Sequence, residues 1–166
     1  MSKTYSSKID LNTGVVVDEL HESNGRLHRD RGLGPARTRR NPKTGLVARE
    51  YFYVDGRLHR DDGPAMIEYF IDGRVATEAW YRLGMLHRNE TDGPALVERA
   101  VTGVVVLEAY YFSDELYRDP KKGPCEIHRR DDTGKVISEN YSEIFEGPTS
   151  PNPGVSSTAE APAGPR

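Results

Sequence analysis

Three imidazoles stand at one recurring position, His28, His59 and His87, and an arginine follows each at once: Arg29, Arg60 and Arg88. A fourth arginine, Arg118, follows Tyr117 in the corresponding place. Imidazole beside guanidinium is raw material for a metal centre, a phosphate site or general acid–base chemistry. A metal centre needs three or four ligands converging at about 2 Å. Whether these histidines can converge depends on the elements that carry them.

Those elements recur. GRLHRDDGPA (56–65) has close copies in GRLHRDRGLGPA (25–36) and GMLHRNETDGPA (84–95), and a diverged one in DELYRDPKKGPC (114–125). Gly-Pro steps fall at 34–35, 63–64, 93–94 and 123–124, a period of about 30 residues. A second glycine series is Gly14, Gly45, Gly73, Gly103 and Gly134. Each is followed by a glutamate (Glu19, Glu50, Glu78, Glu108, Glu139) and then by a ring (His21, Phe52, Trp80, Tyr110, Tyr141).

The segments between turns, such as AMIEYFIDG (65–73) and GRVATEAWYRLG (73–84), are rich in β-branched and aromatic residues and carry no helical period. Asp72-Gly73 reads as a two-residue primed hairpin turn, as do Asp55-Gly56 and Asn24-Gly25. The fold predicted is all-β: an elongated antiparallel meander of stacked β-hairpin repeats, about four units plus an N-terminal half unit. Such units cannot bury their apolar sides alone, so each is stabilised by its neighbours. The divisions expected are a flexible N-terminus (1–9), the array (10–145) and a disordered Pro/Gly/Ser/Ala-rich tail (146–166).

In a meander, equivalent positions of adjacent units lie at least two strand steps apart, at about 4.8 Å per step. One ion cannot join two of these histidines. The expected role of His28, His59 and His87 is therefore structural, each packed on the ring opposite it and bonded to its local turn. Arg60, Arg88 and Arg118 are expected to pair with Glu50, Glu78 and Glu108. No metal and no cofactor are predicted. G-x-x-x-x-G-K-[ST], G-x-S-x-G, H-E-x-x-H and C-x-x-C motifs are absent, and Cys125, the single cysteine, takes the place of alanine in the other copies. No enzyme activity is predicted.

The repeat Gly-x-Leu-His-Arg-x-x-Gly-Pro-Ala, with its glycine turn and Glu-x-aromatic strand, resembles tandem repeats of bacterial, phage and giant-virus proteins. These are similar to the MORN repeat, whose hairpins stack into an elongated sheet. The resemblance covers about residues 10–145. It implies scaffolding, membrane-proximal localisation or an antitoxin-like, inhibitory role.

Composition narrows the partners little. The 166 residues carry a net charge of −3, with 36% hydrophobic and 30% charged residues. A lone cysteine, no secretory signal and no apolar run near the roughly 18 residues of a membrane span predict a cytoplasmic protein. Two features are candidates for recognition. Residues 26–49 gather Arg26, Arg37, Arg39, Arg40 and Lys43 into a basic patch. Both faces of the long strands carry rings, of which Trp80 and Tyr110 are candidates for an exposed aromatic surface. The expected function is a non-enzymatic protein–protein interaction module or adaptor. The alternative is nucleic acid, or another anionic surface, bound through the basic patch. Open sheet edges also offer a route to self-association.

Overall fold

The computed structural model describes residues 2–143. Ten longer strands are β1 (Lys3–Ile9), β2 (Val16–Ser23), β4 (Arg37–Arg40), β5 (Val47–Tyr51), β8 (Met66–Tyr69), β9 (Val75–Ala79), β12 (Leu96–Arg99), β13 (Val105–Ala109), β16 (Glu126–Arg129) and β17 (Val136–Asn140). Between them lie short strands: β3 (Arg26–Leu27), β6 (Tyr53–Val54), β7 (Arg57–Leu58), β10 (Tyr81–Arg82), β11 (Met85–Leu86), β14 (Tyr111–Phe112) and β15 (Glu115–Leu116). The longer strands pair in chain order, β1-β2-β4-β5-β8-β9-β12-β13-β16-β17, as one antiparallel meander. The fold is the all-β hairpin meander that the repeat demands.

The ring position is where each unit divides. Phe52 donates its N–H to Ala65 O in the long sheet and accepts at its C=O from His59 N in the short hairpin, at 2.8 and 2.9 Å. Trp80 bridges Ala95 and His87 in the same way, and Tyr110 bridges Cys125 and Tyr117. One residue thus serves two ladders, and the strand bends there. The short pairs β6–β7, β10–β11 and β14–β15 fold out of the main sheet. They form a row of their own, because Gly56 N donates to Leu27 O, Gly84 N to Leu58 O and Asp114 N to Leu86 O.

Turns differ at the two ends. In the short hairpins both central residues are left-handed, as at Asp55 (φ 50°) and Gly56 (φ 79°), so the primed turn forms where expected. At the long-strand ends it does not. Phe70 N bonds Arg74 O around a three-residue loop in which only Gly73 is left-handed, and Asp10 N bonds Val15 O around four residues. Asp72 is held instead as an acceptor for Arg74 N. The register slips nearby, between Glu68 and Tyr69, as it does between Lys8 and Ile9 beside the four-residue loop.

The core is thin. Ala36, Ala65, Ala95, Cys125, Ala79 and Ala109 are buried to within 2% exposure, and among the described residues no large side chain is. Ala65 N bonds Ala79 O although Met66 is the register partner of Ala79, so two residues face one and the strand bulges. The position is fully buried, which favours the small Ala of Gly-Pro-Ala and accommodates Cys125.

Residues 3–9, expected to be flexible, instead form β1, paired with β2 from Lys3–Ser23 to Ile9–Val16. The alternation of small polar residues hid a strand whose outer edge is open to water. The tail expected over 146–166 lies outside the described residues. Among those described, no helix is long and apolar enough to cross a membrane.

Candidate interaction surface

The recurring arginine has one environment in three of the four units, and Arg29 shares its Gly-Pro contact. Arg60 lies 4.0 Å from the centre of the Phe52 ring, Arg88 3.9 Å from Trp80 and Arg118 4.1 Å from Tyr110. The other side of each guanidinium meets the Gly-Pro step. Arg29, Arg60, Arg88 and Arg118 donate from Nη1 to the carbonyls of Pro35, Pro64, Pro94 and Pro124 at 3.1, 3.4, 3.1 and 3.2 Å. A Cβ on Gly93 would stand 3.2 Å from Arg88 Nη1, and one on Gly123 2.9 Å from Arg118 Nη1. The glycine exists to let the guanidinium in. Burial there pushes the Arg88 pKa below its ordinary value.

The expected pairing of these arginines with Glu50, Glu78 and Glu108 does not form. The glutamates are closed by residues of the next unit instead. Glu19 accepts from Arg40 at 2.7 Å, Glu50 from the Tyr69 hydroxyl at 2.7 Å, Glu78 from Arg99 at 2.7 Å and Glu108 from Arg129 at 2.5 Å. The Arg40 guanidinium holds the Glu19 carboxyl below its usual range. Burial, then the bond to Glu50, pushes the Tyr69 phenol up.

The histidines bond the neighbouring unit as well as their own loop, where Nε2 of His28 meets Asp30 at 3.2 Å and that of His59 meets Asp61 at 3.4 Å. Nδ1 of His28 accepts from Asp55 N at 3.2 Å, that of His59 from Leu83 N at 3.4 Å and that of His87 from Ser113 N at 3.3 Å. These amides belong to left-handed turn residues, which have no strand partner for them. The His87 ring packs at 4.8 Å on Phe112, also of the next unit, and not on Trp80, whose face Arg88 occupies. Among the described residues no group of three or more His, Cys, Asp or Glu is arranged to hold a metal ion.

The basic patch is dispersed. Arg37 donates two bonds to Asp18, at 3.0 and 2.7 Å, on one face of the sheet. Arg40 follows a register shift and closes on Glu19, which lies on the face of Thr38. Arg39 is exposed on the Arg37 face, Arg26 is exposed in β3, and Lys43 is exposed in the loop after β4. These five cations do not share one face. Trp80 and Tyr110 are half-buried, each with one ring face covered by Arg88 or Arg118.

A different apolar surface is open. Leu83, Met85, Phe112 and Tyr117 are 50%, 40%, 58% and 48% exposed on the last two short hairpins. The His87 ring, two residues after Met85, meets Phe112 at 4.8 Å, so the two hairpins touch beside these exposed side chains. The corresponding turns of the first two units carry Asn24 and Asp55. Leu83 holds φ 53°, a left-handed conformation that a branched side chain adopts only at a cost. In the sequence the signal for this patch was Leu83 in a slot otherwise filled by Asn, Asp or Ser.

Clefts also lie between successive Leu-His-Arg loops. One of about 230 Å³ runs between the loops of Arg29 and Arg60 and is rimmed by Asp30, Asp61 and Asp62. Compared with protein-family models, with curated proteins and with solved structures, the chain has no match.

Proposed function

We propose that the protein is a non-enzymatic protein-binding module whose MORN-like array holds an apolar recognition patch, Leu83, Met85, Phe112 and Tyr117, rigid on its short-hairpin row. The carrying observation is Leu83: half exposed, left-handed, and placed where other units use turn-forming residues. Local strain kept at an exposed apolar side chain is expected where that side chain is used. The recurring side chains support the same reading, since the His side chains join units and the Arg side chains brace their own.

The test is affinity capture with the full chain against a Leu83→Asn, Phe112→Ser variant of the same chain. A protein retained by the first and released by the second, with both chains equally folded, supports the reading. Identical capture by the two overturns it.

A further inference from the structure

Every junction between units follows one rule. The second long strand of a unit pairs with the first long strand of the next: β2 with β4, β5 with β8, β9 with β12, β13 with β16. At the centre a glutamate faces a β-branched residue, in the pairs Glu19–Thr38, Glu50–Ile67, Glu78–Val97 and Glu108–Ile127. Two positions before the β-branched residue the incoming strand has its buried Ala36, Ala65, Ala95 or Cys125. Two positions after it comes the donor that closes on the glutamate: Arg40, Tyr69, Arg99 or Arg129.

β17 carries the outgoing half of this junction with nothing paired on its outer edge among the described residues. Glu139 stands opposite Ile127 within its hairpin, as Glu108 stands opposite Val97. Its carboxylate accepts only from its own neighbour Tyr141, at 3.3 Å, among the described residues. All five residues of β17 are exposed, Ile137 to 66%.

We propose that the outer edge of β17 is a docking site for an extended strand of a partner protein with the pattern small–x–β-branched–x–Arg. The strand would add antiparallel to β17 and place its arginine on Glu139, a fifth junction of the same grammar. This rests on the protein-binding reading above. A second copy of this chain fits less well. Its β1 has an open outer edge, but Ser7 lies opposite Glu19 where Thr38 or Ile67 would stand. Ile9, paired with Val16, falls where Arg40 pairs with Val47. Hydrocarbon would then face Glu139, and a carboxylate desolvated without a donor is costly.

The experiment titrates the isotope-labelled full chain with the peptide GPALVERAV, the sequence of residues 93–101, and follows backbone amide shifts. Shifts centred on Val136–Asn140 are expected. Binding by fluorescence anisotropy should weaken about tenfold when the peptide arginine becomes alanine, and equally for the intact peptide on a Glu139→Gln chain. The peptide SKTYSSKID, from β1, should bind at least about tenfold more weakly. Absence of shifts on β17, equal affinity for the arginine and alanine peptides, or tighter binding of the β1 peptide would each overturn the proposal. Silence at β17 with capture still dependent on Leu83 removes this edge site alone. Peptide binding at β17 without Leu83-dependent capture removes the patch alone.

Discussion

The guanidinium of Arg88 is stacked between the Trp80 ring, 3.9 Å from its centre, and Gly93, where a Cβ would lie 3.2 Å from Nη1. Ring, arginine and Gly-Pro step come from three segments of one unit, and the stack recurs in its neighbours. It explains why glycine, proline, arginine and ring recur together. Arg88→Ala is expected to destabilise the chain by about 2 kcal/mol, and Arg88→Lys by nearly as much, since an ammonium cannot both stack flat and reach the Pro94 carbonyl. Gly93→Ala, at φ 115°, is expected to cost about 1–3 kcal/mol. Urea unfolding monitored by Trp80 fluorescence measures all three.

His59 carries a different load. Its Nδ1 accepts the Leu83 amide of the next unit. His59→Phe keeps a ring and removes the acceptor, leaving that amide without its protein partner. The expected cost is about 1 kcal/mol, concentrated at one junction. Amide hydrogen exchange should quicken at Leu83 and Gly84 and remain unchanged at Asp55 and Gly56. Uniform quickening along the array would contradict a junction-specific role.

Leu83 should be replaceable with a gain. Asn relieves the left-handed conformation, so Leu83→Asn is expected to raise stability by about 0.5 kcal/mol while erasing part of the apolar patch. The thermal midpoint reads the first effect and partner capture the second. A fall in the midpoint would show that the exposed side chain supports the fold instead.

Two groups set opposite pH limits. Glu19 has its folded pKa lowered, chiefly by the Arg40 bond, from an ordinary 4.5. Its stabilisation is present above that value and is lost as pH falls through the lowered folded pKa. Tyr69 has its folded pKa raised, chiefly by burial, from an ordinary 10.0. Its stabilisation is present below 10.0 and is lost as pH rises through the raised folded value. Thermal midpoints should therefore fall at both extremes. Arg40→Ala should flatten the acid limb and Tyr69→Phe the alkaline limb.

Much of the architecture was legible in the one-dimensional pattern. Turn residues at a period near 30 and β-rich segments between them dictate a hairpin meander, because strand alternation and primed-turn chemistry are local properties. The Phe52–His59 and Tyr53–Leu58 pairings follow from counting outward from Asp55-Gly56, and both form.

Only the three-dimensional packing decided which neighbour each polar side chain meets. Arg60 belongs to the Phe52 ring and not to Glu50, because stacking and the Gly-Pro carbonyl lie on the side to which its strand turns it. Glu50 belongs to Tyr69 of the following unit, and the basic residues of 26–49 part company across a register shift between Arg39 and Arg40. A shift of one residue exchanges faces, and no local preference records where it will fall. The candidate surface is likewise a product of position. Phe112 and Tyr117 stand on the last short hairpin among the described residues, where no further unit of those residues covers them.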